Sequence, residues 1–390
     1  MPTLPAAWAT GPAGEPRARG LGIAFDGTPG GHNAITDVAG VEVGYETLIS
    51  GHGRLITGTG PVRTGVTAIC PRGRAGIGAS VPAGWFSLNG NGEMTGTAWI
   101  EESGGLDLPI GITNTHAVGS VHRGIIDWVL SAHPGTGDRW LLPVAAETWD
   151  GYLNDINGRH VTPECAVRAI GAARTGPLLE GSVGGGTGMN CYGFKGGTGT
   201  ASRLVGQEAQ RYTVAVLLQA NFGSRAELTL AGVPVGRQLL DDDPLGDPQW
   251  LAPPSAGSCI AVVATDAPLL PGQCKALARR VPLGLARTGT TGSHFSGDIF
   301  LAFSTANAGV LNSGVDTATD SAADTAPRSL SFLPWGAMDA LYEGVVQAVE
   351  EATVNALVAG RTMVGRDDHR SPGLPVERVL DLLRHSGGPR

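Results

Sequence analysis

The sequence predicts a layered fold that mixes β-strands with α-helices. Short apolar runs, each about the length of a strand, alternate with clusters of glycine along most of the chain. A few longer segments instead repeat apolar residues at helical spacing. The composition agrees, because 61 glycines and only 16% charged residues favour tight turns and packed backbone over long solvated helices. Together these observations indicate an α/β or α+β layered fold.

The predicted strands and helices are distributed along the whole chain. Strands are expected, in order, at residues 41–47, 66–70, 110–113, 212–218, 259–265 and 299–304. Helices are expected at residues 118–131, at residues 272–280 directly after Pro271, and at residues 335–359. The last is the clearest helix, because its apolar residues recur most regularly.

Four segments are expected to lack regular structure. Residues 1–20 and 366–390 are polar or rich in proline, alanine and glycine, as loose chain ends are. Residues 240–258 are acidic and rich in proline, and residues 309–328 are rich in Thr, Ala, Asp and Ser, so both predict surface loops. The first of these loops is a candidate rim for a substrate pocket.

Composition excludes several classes of protein. With 42% apolar residues the chain can bury a large core, which excludes a disordered protein. The 27 basic residues are outnumbered by 35 acidic ones and form no cluster, which argues against a nucleic-acid surface. Five scattered cysteines without CxxC spacing predict reduced core residues rather than disulfides or a zinc site. Because no leader or membrane-length apolar run is apparent, a cytoplasmic location is expected, and a periplasmic one stays open if a signal has been removed.

The most informative motif is QANFGSR, which begins at Gln219 and sets a serine directly after a glycine at the end of an apolar run. A serine whose own peptide bond is cut becomes an amino terminus, and its free α-amine can then deprotonate its hydroxyl. Gly223 before Ser224 allows the strained backbone that an N-to-O acyl shift needs. An ordinary turn at the end of a strand has the same residues, so the motif alone leaves both interpretations open.

Blocks elsewhere in the chain carry a family resemblance. In order they are GIAFDGTPGGHNAITDVAGVEVGYETL from Gly22, SLNGNGEMTGTAWIEESGGL from Ser87, ITNTHAVG from Ile112, SVGGGTGMNCYGFKGGTGTASR from Ser182, VVATDAPLLP from Val262, ARTGTTGSHFSGDIFLAFSTAN from Ala286 and a helical end at residues 338–362. With the Ser224 segment, these seven blocks resemble the L-aminopeptidase/D-esterase family, which includes the β-peptidyl aminopeptidases. The resemblance covers residues 18–365.

This resemblance implies a fold and an activity. The fold is an αββα sandwich of the amino-terminal-nucleophile hydrolase type, with two central sheets flanked by helices, in one domain over residues 1–390. The activity is that of a serine aminopeptidase that releases amino-terminal residues from short peptides, amides or esters through an acyl-enzyme on Ser224. Cleavage before Ser224 is expected to leave subunits 1–223 and 224–390 associated, in a symmetric homo-oligomer of four cleaved protomers. No metal, organic cofactor, nucleic acid or membrane partner is implied.

The glycine-rich segment from Ser182 supplies candidates for an oxyanion hole. It lacks the GxxxxGK[ST] order of a phosphate-binding loop, so close backbone packing and N–H groups directed at an oxyanion are its expected role. The family has an asparagine in this stretch at a position that corresponds to Tyr192. Asn190, Asn221 and backbone N–H groups therefore stay open as donors.

Three glutamates are candidates for binding the substrate amine, because a buried carboxylate is the simplest partner for an ammonium group. Glu101 and Glu102 are preferred, and on a strand only one of these neighbours would face the pocket. Glu93 is the reserve. Tyr192, Asn221 and His116 are further candidates for substrate contacts.

The resemblance also implies a small hydroxyl residue and a carboxylate near the nucleophile. The favoured match is Ala264-Thr265-Asp266 at the end of a predicted strand, where the hydroxyl position corresponds to Ala264 and Thr265 is its neighbour. Ser296 with Asp298 is the alternative. His116 lies in a block that the family places near the pocket. A His/Asp pair is not required if Ser224 supplies its own amine.

Two other functions stay open. One is an endo-acting amide hydrolase of the same fold that opens linear polyamides. A carboxylate that binds the substrate amine would argue against this function, because endo-cleavage has no use for such a group. The other is a non-catalytic protein that binds a small molecule, which an intact chain after long incubation would favour.

Overall fold

The structure is a computed structural model that describes residues 4–137, 139–207, 210–246, 257–312 and 326–386. Parts of both expected surface loops, residues 247–256 and 313–325, lie outside the described residues. The same holds for residues 1–3 and 387–390 at the two chain ends.

The described ranges contain eight α-helices, numbered α1 to α8 in chain order. They are Ala6–Ala9, Thr97–Ser103, Val118–Ala132, Pro163–Gly171, Pro271–Ala278, Val281–Arg287, Asp339–Ala359 and Val376–His385. Helices α3, α5 and α7 correspond to the three helices expected from the sequence. Helix α7 begins at Asp339 because residues 335–337 form a separate 3-10 turn.

Fourteen β-strands, β1 to β14, are found in the same ranges. They are Glu42–Ser50, Val62–Cys70, Val81–Ser87, Gly105–Leu106, Ile110–Asn114, Val144–Thr148, Asn190–Cys191, Phe194–Lys195, Gly197–Gln207, Gln210–Asn221, Gly257–Thr265, Ser296–Ser304, Met363–Val364 and Arg370–Ser371. All six expected strands are present, as β1, β2, β5, β10, β11 and β12.

Two sheets form the centre of the molecule. The first has the strand order β1-β2-β5-β6, and the second has the order β4-β3-β12-β11-β10-β9. Strand β10 pairs antiparallel with β9 and with β11, whereas β11 pairs parallel with β12. Residues on both faces of β10 are buried, with Ala215 and Leu217 between the sheets and Val216 and Leu218 on the opposite face. This explains why β10 is a continuous apolar run.

Helices cover the outer faces of both sheets. Val121 and Ile125 of α3 pack with Cys165 of α4 against the first sheet. Leu277 of α5 and Val349 of α7 belong to the core on the outer face of the second sheet. The layers are therefore helix, sheet, sheet and helix, and the expected αββα sandwich is confirmed.

Several strands end or begin at one edge of the sandwich. The parallel strands β5 and β6 end there at Asn114 and Thr148, and β10 ends there at Asn221. Ser258 near the start of β11 pairs with Asn221, and Gly297 near the start of β12 pairs with Ser258. We call this region the convergent edge, and it brings together residues that are far apart in the chain.

The two sheets are joined at the convergent edge by Gln219. Its side-chain nitrogen donates to the carbonyl oxygen of Thr113 at 3.1 Å and to the hydroxyl of Thr148 at 2.7 Å. This fixes the end of β10 against the ends of β5 and β6.

The structure can be compared with the sequence expectations for the cysteines and for membrane-spanning segments. All five cysteines are free and buried, which confirms them as core residues. In the ranges that the structure describes, no helix is both long and apolar enough to cross a bilayer.

Candidate active site

Ser224 lies at the convergent edge, three residues beyond the end of β10, and begins a 3-10 turn formed by residues 225–227. Gly223 before it has a φ of +82°, which L-residues with a side chain rarely adopt. A Cβ atom at Gly223 would also lie 2.5 Å from the ring of Tyr192. Glycine is therefore required at this position for both its backbone angle and its size.

Ser224 makes two contacts with one carboxylate oxygen. Its backbone N–H donates to Oε2 of Glu227 at 2.7 Å, and its hydroxyl donates to the same atom at 3.0 Å. Thr291 donates to the other oxygen, Oε1, at 3.4 Å. Ser224 and Glu227 thus have the Ser-x-x-Glu arrangement of a capping box.

The ring of Tyr192 packs against Gly223, next to the Gly223–Ser224 bond. Its side chain is fully buried, its ring meets Phe222 edge-on at 5.3 Å, and its hydroxyl lies 2.7 Å from that of Thr288. Its backbone N–H donates to the carbonyl oxygen of Phe222. The expectation of a substrate contact from Tyr192 is wrong, because neither its ring nor its N–H is available. Burial holds the pKa of its phenol well above the usual value, so the phenol stays neutral.

The two asparagines differ in their availability. Asn221 accepts from the backbone N–H of Asn190 at 2.9 Å and donates to the carbonyl oxygen of Trp149 at 3.0 Å. These two hydrogen bonds tie the end of β10 to the residue after β6 and to the glycine-rich segment, and the expectation that Asn221 contacts substrate stays a prediction. The side-chain oxygen of Asn190 is buried without a hydrogen-bond partner among the described residues, but this atom can only accept a hydrogen bond. A role of Asn190 in the oxyanion hole would require its side-chain N–H group and stays a prediction.

The glycine-rich segment is packed against protein backbone. Residues 184–188 form a buried 3-10 turn, and a Cβ at Gly185 or Gly186 would lie within 2.6 Å of neighbouring atoms. The amine of Lys195, which is fully buried, donates to the carbonyl oxygens of Met189 at 2.8 Å and of Gly196 at 2.9 Å. Burial lowers the pKa of Lys195 to about 7. This lysine holds the segment together rather than binding a phosphate.

Thr265 and Asp266 lie at the end of the second sheet that is opposite the convergent edge. Thr265 pairs with Val214, and Asn221 at the convergent edge lies seven residue positions further along β10. That spacing corresponds to about 23 Å. Asp266 instead accepts the backbone N–H of Thr213 at 2.7 Å, as a turn residue does. The expectation that Thr265 and Asp266 assist Ser224 is therefore wrong.

The alternative pair, Ser296 and Asp298, is at the convergent edge, at the start of β12. The Ser296 hydroxyl donates to one oxygen of Asp298 at 2.7 Å, and the Asn89 amide donates to the other at 2.7 Å. Burial raises the pKa of this carboxyl. Nearby, the buried hydroxyl of Ser258 has no hydrogen-bond partner among the described residues. The sequence reasoning missed Ser258, although a Gly-Ser pair at the start of a strand could have indicated it.

The preferred amine-binding residues are not in a pocket. Glu101 and Glu102 lie on helix α2 rather than on a strand, and both are exposed. Glu101 pairs with Lys275 at 2.6 Å. The expectation for both residues is wrong, because an exposed carboxylate is solvated or, like Glu101, paired on the surface.

A buried carboxylate that the sequence reasoning missed lies at the convergent edge. Glu147, on β6, is 2% exposed and accepts hydrogen bonds from the hydroxyl of Thr115 and, at 3.0 Å, from the backbone N–H of Glu93. The reserve candidate Glu93 is itself exposed and contributes this N–H instead of its side chain. Burial raises the pKa of Glu147. A lone acidic residue in the apolar run VAAET was the signal available.

Gly92 lies between the side chain of Glu147 and strand β12 of the second sheet. A Cβ at Gly92 would lie 3.2 Å from Oε1 of Glu147 and 2.8 Å from Cα of Gly297. Glu147 therefore lies close to β12, which is two strands from the β10 strand that leads to Ser224.

His116 is exposed and does not reach Ser224. Its Nδ1 lies 3.0 Å from the side-chain oxygen of Asn157, at a polar cavity of about 470 Å³ that Asp155 and His160 also line. No contact between His116 and Ser224 is found within the described ranges. A histidine base for Ser224 receives no support from this geometry.

Comparison with known proteins identifies relatives over nearly the full length. Residues 33–371 match peptidase family S58. The β-peptidyl aminopeptidase BapA of Sphingosinicella microcystinivorans is 50% identical over 378 residues, which cover 95% of this chain and 92% of that protein.

Two solved structures have the same fold. The Burkholderia sp. β-aminopeptidase is 45% identical with a TM-score of 0.85, over 96% of this chain and 100% of the other. The L-aminopeptidase D-Ala-esterase/amidase of Ochrobactrum anthropi is described as a variant of the Ntn hydrolase fold. It is 44% identical with a TM-score of 0.86, over 96% of this chain and 99% of the other.

Proposed function

Because this chain belongs to peptidase family S58 and is a peptide-bond hydrolase of the aminopeptidase type, we propose that it cleaves itself before Ser224 and then uses Ser224 as its nucleophile. The observation that carries the proposal is the arrangement around this bond. Gly223 is held in a left-handed conformation over Tyr192, while the Ser224 hydroxyl and nitrogen share one oxygen of Glu227.

The released α-amine would serve as the base for the same serine. A free amine accepts the hydroxyl proton as Ser224 attacks a substrate carbonyl, and an acyl-enzyme forms. Water then releases the acyl group. The side-chain N–H group of Asn190 and backbone N–H groups of the glycine-rich segment are the proposed donors to the oxyanion.

Glu147 is the proposed partner of the substrate ammonium. It is the buried acidic residue of β6, and its hydrogen bonds from Thr115 and Glu93 favour its charged form. Within the part of the chain that the structure describes, Glu147 forms no salt bridge, and a buried carboxylate without a cationic partner gains most from a cationic ligand. This favours exo-acting hydrolysis of substrates with a free amino terminus over endo-cleavage of polyamides.

Short peptides, amides and esters are the proposed substrates, and those with an amino-terminal β-residue are included. The support is the similarity to two β-aminopeptidases at 45% and 50% identity. A panel that pairs α-, β- and D-configured amino-terminal residues on one leaving group would test this class.

The cleaved halves would remain associated. Strand β10 lies before the proposed cut and β11 after it, and they pair along eight residues from Val214 to Asn221. The two halves therefore share one sheet and form a single domain. A tetramer of cleaved protomers is the proposed assembly.

Denaturing gels and amino-terminal sequencing test the proposal directly. Wild type should give two fragments, the smaller beginning with Ser224, and Ser224→Ala should remain one full-length chain. An active wild type that stays intact would contradict the amino-terminal-nucleophile mechanism.

A further inference from the structure

Glu227 stands out because one of its oxygens touches both atoms that must exchange a proton during self-cleavage. An N-to-O shift removes a proton from the Ser224 hydroxyl and delivers one to the Ser224 nitrogen. Oε2 of Glu227 lies 3.0 Å from the first atom and 2.7 Å from the second. Both distances are within the reach of direct proton transfer.

We propose that Glu227 is the general base and then the general acid of self-cleavage at Gly223–Ser224. This inference rests on the proposed self-cleavage and names the residue that drives it. It gives Glu227 a chemical role beyond that of a helix cap.

Glu227 alone can accept and return the proton that moves during the shift. The Ser224 oxygen forms a bond to the carbonyl carbon of Gly223 while its proton passes to Oε2. The bond between that carbon and the Ser224 nitrogen then breaks, and the nitrogen takes the proton from Oε2. The product is an ester between Gly223 and the Ser224 hydroxyl, with a free α-amine and the carboxylate restored. Water hydrolyses the ester and leaves a carboxylate on Gly223.

The surroundings of Glu227 keep it available for this role. Among the described residues it has no ion pair with a cation, and its other oxygen has only the long contact with Thr291. The nearest arginine in sequence, Arg225, directs its guanidinium to the carbonyl oxygens of Tyr192 and Leu239. Among the described residues, no cation therefore competes with Ser224 for Oε2 of Glu227.

A purely structural role makes a different prediction. In a capping box, glutamine replaces glutamate and accepts the same hydrogen bonds. Glu227→Gln therefore preserves the turn but cannot take up a proton. Glu227→Asp keeps the carboxylate but withdraws it by one methylene group.

The test follows self-cleavage of newly made protein. Wild type, Glu227→Gln, Glu227→Asp, Ser224→Ala and the control Glu350→Gln are produced by cell-free synthesis, and loss of the full-length band is timed on denaturing gels. Glu350 is partly buried like Glu227 but pairs with Arg287. We expect cleavage about 100-fold slower or more in Glu227→Gln, an intermediate rate in Glu227→Asp, and the wild-type rate in Glu350→Gln.

Hydroxylamine separates the two steps of the reaction, because it cleaves an ester but not an amide. It should not restore cleavage of Glu227→Gln, since no ester forms without the shift. Rescue by hydroxylamine, or a folded Glu227→Gln that cleaves within threefold of wild type, would overturn the role of Glu227. If circular dichroism shows that Glu227→Gln is unfolded, the Glu227→Asp variant becomes the test of the proposal. Cleavage of Glu227→Asp at the wild-type rate would then reject the role of Glu227. An intact wild type would instead reject self-cleavage itself.

Discussion

Glu147 and Glu101 are both glutamates of the amino-terminal half, and burial gives them different roles. Glu147 is buried at the convergent edge, whereas Glu101 is exposed and paired with Lys275. Removal of a buried partner costs much more than removal of a solvated one, because the remaining charge is left uncompensated. The two residues therefore form a matched pair for testing recognition of the substrate amine.

Glu147→Gln should lower kcat/KM for a dipeptide by thirtyfold or more, equivalent to about 2 to 5 kcal/mol of transition-state binding, whereas Glu101→Gln should stay near wild type. Burial raises the pKa of Glu147, so in wild type the loss of binding on acidification should begin above the usual range of a glutamic acid. Steady-state kinetics against pH measure both effects. Rapid turnover of an N-acetylated peptide amide would contradict the anchor and favour an endo-acting amidase.

Ser224 should impose a second dependence on pH. Its released α-amine must be neutral to act as a base, so kcat/KM should rise with pH through the pKa of a free amino terminus, about 8. The neighbouring Glu227 carboxylate favours the ammonium and moves this rise to higher pH.

Asp266→Asn and His116→Ala serve as controls for the α-amine. Asp266 is at the far end of β10, and His116 contacts Asn157, so neither substitution should move the rising limb. If the limb disappears in His116→Ala, a histidine is the base and Ser224 does not act as an amino-terminal nucleophile.

At the scale of elements, the glycine-rich segment depends on one buried lysine. Lys195 donates to backbone carbonyl oxygens within the segment, and its pKa is lowered to about 7 from 10.5. The folded chain therefore binds one proton fewer than the unfolded chain between these values. It follows that the free energy of unfolding rises with pH across this window, by about 1.4 kcal/mol per unit, and that this gain is lost as the pH falls through 7.

Lys195→Met should abolish this pH-dependent contribution. In the uncleaved Ser224→Ala background, chemical denaturation should show the parent gaining about 2 kcal/mol more than the variant between pH 7 and pH 9. Lys275→Met is the control, because Lys275 is partly exposed and paired with Glu101. Parallel stability curves for the parent and Lys195→Met would show that Lys195 is charged in the fold.

Elements differ in how well local sequence predicts them. Strand β10 was recognisable because burial on both faces makes it continuously apolar. Strand β9, GTGTASRLVGQ, was missed because glycine and threonine allow the close approach of α7, where a Cβ at Gly199 would lie 2.0 Å from the backbone of Ala352. Strand β6 was missed because it is short and contains Glu147.

At the scale of the whole molecule, the cut should not separate the halves. They share the ladder between β10 and β11, and the core on the outer face of the second sheet contains residues from both sides of Ser224. We expect the fragments to co-elute in native size-exclusion chromatography and to separate only in denaturant. Light scattering of the same peak should give the mass of four cleaved protomers, and separate elution of the fragments would contradict the shared sheet.

The sequence by itself determined the family, the layered fold and the position of Ser224. These properties follow from local patterns, since apolar periodicity and the order of short motifs are written along the chain. The tertiary structure alone decided which polar residues accompany Ser224. Thr265 ends β11 and Asp266 follows it, whereas Ser258 lies near its start. Only the antiparallel pairing with β10 shows which end meets the nucleophile. Burial likewise separates Glu147 from Glu101, because it depends on packing between segments that are distant in sequence.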